Sequence, residues 1–275
     1  MRRPGREAWP PPYGHLRRGR VRPPHLSTRY PSTDNTRGAV MIQVVLFTLL
    51  GAVVGFLLDP LVALLAVPTP EDEAAPQEEG PVTPSLGEAG RARRATMIGQ
   101  GPLWRRPALI AATAATFAVA AARYEEPEQA ALVSAYAAAL IACAATDLIA
   151  FRVPNVITYP AAGGAILAAA VMPHGDLTEA LIGGAVGGGL LLVMSIVSRG
   201  GLGLGDVKLA GFVGLALGGP LIFPALLITT VAGGLAAACL ALRLRRRDFP
   251  IPYAPFISGG ALTVLLWQGS AFVTL

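Results

Sequence analysis

The stretch Arg199-Gly200-Gly201-Leu202-Gly203-Leu204-Gly205-Asp206-Val207-Lys208-Leu209 separates two long apolar runs, and its reading decides the fold. Four glycines fall within the six positions from Gly200 to Gly205. They cannot serve helix stability, because each costs roughly 1 kcal/mol relative to alanine in a helix interior. They do let another backbone, or a substrate, approach with no side chain between. The run leads into an acid and a base in a chain that is otherwise poor in both. An aspartate at a membrane boundary beside such a run is a functional-site candidate by default.

The rest of the chain makes that boundary a membrane boundary. Its 275 residues are 53% hydrophobic and only 14% charged, with a mean hydropathy of +0.55. A soluble domain carries about a quarter charged residues. The deficit selects an all-α polytopic membrane protein. The net charge of +5 does not select a nucleic-acid partner, because the basic residues sit at the ends of apolar runs and in the N-terminal tail rather than on one face. Cys143 and Cys239 lie inside apolar runs without a CxxC partner, and His15, His25 and His174 are scattered. Neither a disulfide framework nor a metal site is expected from them, and no cofactor is called for.

Apolar runs fall at about 41–67, 107–122, 129–147, 155–172, 177–198, 206–219, 221–242 and 254–273. The run at 206–219 is short and glycine-rich. It reads as a tilted span, a re-entrant segment or one continuous span with its neighbour, and Gly218-Gly219-Pro220 favours a turn there. Eight spans are expected, with seven as the alternative. Residues 1–40 hold nine arginines and no apolar run, and read as a disordered tail. The first span, 41–67, can cross ~30 Å of hydrocarbon, and its core is too long for a cleaved signal peptide. Residues 68–105 form a short polar cytoplasmic loop, and 106–275 the main membrane domain.

Orientation follows from the positive-inside rule. With the end of the first span in the cytoplasm, the cytoplasmic segments hold Arg91, Arg93, Arg94, Arg105, Arg106, Arg152, Arg199, Lys208, Arg243, Arg245, Arg246 and Arg247. The outer segments hold Arg123 alone, beside Glu125, Glu126 and Glu128. This orientation puts the arginine-rich tail outside, against the same rule, so Met41 reads as the working start of translation.

The same topology supplies Asp206 with a partner. Asp147 ends the run Ala144-Ala145-Thr146-Asp147 on the cytoplasmic side, and Asp206 begins another run on that side. Two carboxyl groups at one membrane depth can meet and share a proton. The ionised one can activate a water. The protonated one can hydrogen-bond a scissile carbonyl and then protonate the leaving amine. The glycines beside Asp206 leave room for an extended peptide.

Gly203-Leu204-Gly205-Asp206-Val207-Lys208-Leu209 resembles the GxGDxKL signature of the type IV prepilin peptidases, a bacterial family of GxGD-type intramembrane aspartic proteases. Asp147-Leu148 followed by Val153-Pro154-Asn155 resembles the family's other aspartate segment, and Ile251-Pro252-Tyr253-Ala254-Pro255-Phe256 its IPFGPF-like stretch. The three motifs cover roughly residues 106–275. The resemblance implies a leader peptidase of the bacterial cytoplasmic membrane. It would cut the basic leader from prepilins or pseudopilins just before their hydrophobic helix, without a metal. It implies Asp147 and Asp206 as the catalytic pair and Gly203 and Gly205 as site-shaping residues. Lys208 reads as an interface anchor that can steer a substrate group. Lipid is the surrounding partner, and pilus or secretion machinery the functional context.

Two departures bear on that expectation. Many members carry a cysteine-tetrad domain after the first span and N-methylate the trimmed pilin; here 68–105 contains no cysteine, so methyltransferase activity is not expected. Asp59 stands in Gly55-Phe56-Leu57-Leu58-Asp59-Pro60 where the family usually has asparagine, and it reads as a snorkelling acid at a span end. Two rival functions are a transporter with Asp147 and Asp206 as proton or cation sites, and a non-catalytic assembly subunit. The chain shows no internal repeat of the transporter kind, and the retained acid pair has no chemical purpose in an inactive subunit.

Overall fold

The computed structural model describes residues 33–66, 104–173, 175–198, 202–244 and 251–268. Much of the expected tail, nearly all of the 68–105 loop and the first part of the glycine run lie outside these. The described residues form eight helices: α1 Thr33–Leu65, α2 Arg105–Arg123, α3 Pro127–Ala150, α4 Asn155–Val171, α5 Leu177–Val197, α6 Leu204–Leu217, α7 Ile222–Leu244 and α8 Ala254–Trp267. The number matches the eight expected runs. α1 starts earlier than the run at 41–67, so residues 33–40 continue the helix.

Four helices, α1, α3, α5 and α7, are long and apolar enough to cross a membrane by length and composition. Within them, 61% of the apolar stretch of α3 is buried, against 11% for α1 and 22% each for α5 and α7. α3 is therefore the central helix. The outward faces of the others carry large apolar side chains, such as Leu46, Leu49 and Val53 on α1 and Leu227, Val231 and Leu235 on α7. So much exposed apolar surface fits lipid as the surrounding solvent.

The core is built on α3, α6 and α8. The rings of Tyr136 and Phe212 meet edge-on at 5.8 Å between centroids, with Leu140, Leu209, Val213, Ile257 and Val264 buried in the same cluster. Polar anchors hold α8 in place: Ser258 Oγ donates to Leu140 O of α3 at 3.0 Å, and the hydroxyl of Tyr124, just after α2, donates to Leu265 O. α5 and α6 approach almost backbone to backbone through Gly183 and Gly214. Asp176 caps α5 by accepting from Thr178 N and Glu179 N at 2.9 and 3.1 Å. α6 ends in a turn with Gly218 at φ 84°, and Gly219 N–H donates to Glu179 O at 2.9 Å. The turn excludes a single span continuous from α6 into α7. With 14 residues, α6 is about 21 Å long, short of the ~30 Å hydrocarbon core.

Asp59 differs in its surroundings from a snorkelling acid. It is buried, and its carboxylate takes Arg105 Nε at 2.7 Å and Arg106 Nε at 3.3 Å. The Arg106 guanidinium also lies 4.8 Å over the Phe56 ring. This cluster closes the α1–α2 hairpin, which packs on Ile141, Ala142 and Ala145 of α3 through Leu58, Val62 and Leu109. Asp59→Ala removes the carboxylate that accepts from Arg105 and Arg106. Losing hydrogen bonds to charged groups costs about 1.5–3 kcal/mol. A lowered thermal midpoint in detergent is the expected readout, and an unchanged midpoint would place the pair in water.

Candidate active site

Each aspartate is placed by a helix end. α3 stops after Ala150 because Phe151 turns into the left-handed region at φ 53°, where its N–H still reaches Asp147 O at 2.8 Å. Asp147 is thereby held in the last turn, 5% exposed. Pro154 follows as the capping residue of α4, in extended conformation. On the other side, Gly203 is the extended N-cap of α6, and Asp206 lies in that helix's first turn, 9% exposed. An acid there faces the positive end of the helix dipole.

The N-terminus of α8 completes the arrangement. The first N–H groups of any helix lack intrahelical acceptors. In α8 these belong to the Tyr253-Ala254 segment, and Ala254 N–H donates to Asp147 Oδ2 at 2.9 Å, with the Tyr253 amide facing the same carboxylate. Asp147 thus caps a helix far from it in sequence. Pro255 marks where α8 starts, which was legible; the partner of its free amides was not. The Tyr253 side chain reaches back toward Asp206, hydrogen-bonds the Thr230 side chain and packs its ring on Gly233.

These elements bring Asp147 and Asp206 within electrostatic reach of each other. Asp206 Oδ1 is buried with no hydrogen-bond partner among the described residues, whereas a buried polar atom is normally satisfied. Gly205 explains how the two helix ends approach: a Cβ there would lie 3.1 Å from Val153 Cβ, on the connector that follows Asp147. Gly203 faces the Asp206 carboxyl, with an added Cβ only 3.6 Å from Oδ2. Lys208 reaches sideways to α4, donating to Asn155 Oδ1 at 3.2 Å and lying 5.5 Å over the Tyr159 ring. Asp59 is occupied by its two arginines. Two buried acids within electrostatic reach of each other are the kind of pair that can position and activate a water.

Comparison with known proteins decides the family. The model of the type IV leader peptidase family matches residues 134–238, a stretch that contains both aspartates. Residues 134–238 of the chain belong to the type IV leader peptidase family. It is 29% identical over 197 residues to the prepilin leader peptidase/N-methyltransferase of Bacillus subtilis (strain 168), covering 71% of this chain and 78% of that protein. It is 30% identical over 206 residues to the protein of the same description from Burkholderia pseudomallei (strain 1026b), covering 72% of this chain and 65% of that protein. No solved structure matches.

Proposed function

We propose that this chain is an intramembrane aspartic endopeptidase that removes the basic leader of prepilin-like proteins at the cytoplasmic face of a bacterial plasma membrane. Asp147 and Asp206 are its catalytic pair. The observation that carries the reading is two buried carboxyl groups from separate helices within electrostatic reach, one of them with an oxygen that has no hydrogen-bond partner among the described residues. Family membership supports it, as do the names of the relatives.

In this mechanism the pair holds one proton. The ionised member takes a proton from a water placed between them, and the water oxygen attacks the scissile carbonyl. The protonated member hydrogen-bonds the carbonyl oxygen as it becomes an alkoxide, and a proton then passes to the departing amine. The Ala254 amide keeps Asp147 oriented throughout. Gly203 leaves the approach to the Asp206 carboxyl free of a side chain, where an extended leader can lie, and Gly205 lets the Val153 connector close beside it. Only the peptidase half of the relatives' names is carried over, since the α1–α2 connection contains no cysteine.

Co-expression with a prepilin from the same genome tests the reading. A leader-sized shift of the prepilin on a gel is expected when this chain is present. Unshifted prepilin, with both proteins in the membrane fraction, would count against it. A transporter has no reason to produce the shift.

A further inference from the structure

Beside Asp147 lies a cavity of about 350 Å³, near the lower end of the ~300–1,000 Å³ typical of ligand pockets. Leu148 of α3, Cys239 and Leu240 of α7, and Pro252 and Phe256 at the entry of α8 form much of its apolar wall. Arg243, in the last turn of α7, is the single charged group among the described residues that line it. Two of these walls belong to the catalytic pair's own scaffold. Leu148 follows Asp147 in the chain, and Pro252 and Pro255 bracket the Tyr253-Ala254 amides that hold the Asp147 carboxylate. A peptide with its scissile bond over the aspartates therefore presents a neighbouring side chain to this cavity.

The two flanks of that bond differ in chemistry under the proposed function. The leader is basic and the segment after the cut is apolar. The apolar walls favour burial of an apolar side chain, at about 25 cal/mol per Å². The Arg243 guanidinium repels lysine and arginine. We infer that this cavity is the subsite for the first apolar side chains of the substrate's hydrophobic helix, on the C-terminal side of the cut, and that Arg243 keeps the basic leader out of it. The inference rests on the peptidase reading and adds which part of the substrate is read, and where.

The protein carries its own probe. Cys239 is an exposed free thiol in the cavity wall, and Cys143 is a buried one. The full chain, reconstituted in phosphatidylcholine vesicles, is treated with N-ethylmaleimide. The substrate is a peptide with an arginine-rich leader joined to a Leu/Ala helix of about twenty residues. After treatment KM is expected to rise about tenfold with kcat within about twofold, the size of losing one buried apolar side chain. The Cys239→Ser enzyme, compared with itself before and after treatment, should show no such rise. In the Asp206→Asn enzyme, excess peptide should slow labelling of Cys239 at least about threefold, and the leader alone should not. An unaltered KM after complete labelling overturns the inference. So does labelling that the peptide does not slow, or that phosphatidylglycerol slows and the peptide does not, which would make the cavity a lipid site. Protection is read without cleavage. Peptide that protects Cys239 but is never cut by the wild-type enzyme therefore retires the peptidase reading alone. Peptide that is cut with the same KM after labelling retires the cavity assignment alone.

Discussion

Asp147→Asn and Asp206→Asn are each expected to reduce leader removal at least ~10³-fold while leaving the protein folded in the membrane. Asparagine has the shape of aspartate but neither takes nor returns a proton at the working pH. General acid–base catalysis by a positioned group contributes typically 10²–10⁴-fold, and each aspartate serves as acid in one half of the cycle and base in the other. The losses should not add: the double variant is expected to be no slower than the worse single one, because the pair acts as a unit. Stability should move little, or upward. An asparagine at position 147 can turn its carbonyl oxygen to the Ala254 N–H and keep the cap on α8. At position 206 the variant side chain is neutral at every pH, which removes the cost of burying an ionised carboxylate there. Because the reaction needs one proton on the pair, the rate should fall on both sides of an optimum pH. Leader removal by gel shift, thermal midpoint and membrane abundance together check the prediction. Single variants that cleave at the wild-type rate would remove these residues from the chemistry.

The parts of this site that sequence could name are those written as local pattern. Glycines beside an acid at the start of an apolar run announced the first turn of α6, and the end of an apolar run at Asp147 announced the last turn of α3. The positive-inside distribution put both acids at one depth, which is what made them candidates for one site. The connection supplied by α8 was not legible, because it consists of main-chain amides on Asp147, and an amide has no side-chain signature. Asp59 shows the same limit differently. Arg105 and Arg106 were visible as cytoplasmic charges, but that they turn inward to Asp59 depends on how α1 and α2 pack, which hydropathy does not record. Span length misled at two ends: α1 starts at Thr33, before its run at 41–67. The boundaries of α3, α5 and α7 fell within a few residues of the apolar runs, whereas α8 ends at Trp267 although its run continues to about 273; residues 269–275 lie outside the described ones.

The glycines of α5 allow the second large effect to be stated as a difference in sign along one helix. Gly183 and Gly189 are both inside α5. A Cβ on Gly189 would meet nothing within 4 Å. Gly189→Ala therefore gains helix propensity alone, up to roughly 1 kcal/mol in favour of the fold. A Cβ on Gly183 would overlap the Gly214 carbonyl oxygen of α6 and lie 2.8 Å from Gly218 Cα. These are backbone atoms, which cannot rotate away as a side-chain tip can. Gly183→Ala must push α5 from α6, and overpacking of this kind costs about 1–3 kcal/mol, enough to outweigh the propensity gain. Gly214→Ala, which meets Gly183 from the other side, should behave as Gly183→Ala does. The consequence extends to function because α6 carries Asp206 in its first turn. A shift of α6 by a few tenths of an ångström alters the seat of Asp206 opposite Asp147, and misplacement of a reacting group on the order of 1 Å can cost 10²-fold in rate. Thermal midpoints of the three variants in one detergent, read beside leader removal, separate the cases. The expected pattern is a raised or equal midpoint with full activity for Gly189→Ala, and a lowered midpoint with reduced activity for the other two. Equal gains at all three positions would show that α5 and α6 are not in backbone contact, and the placement of Asp206 that depends on that contact would fall with it.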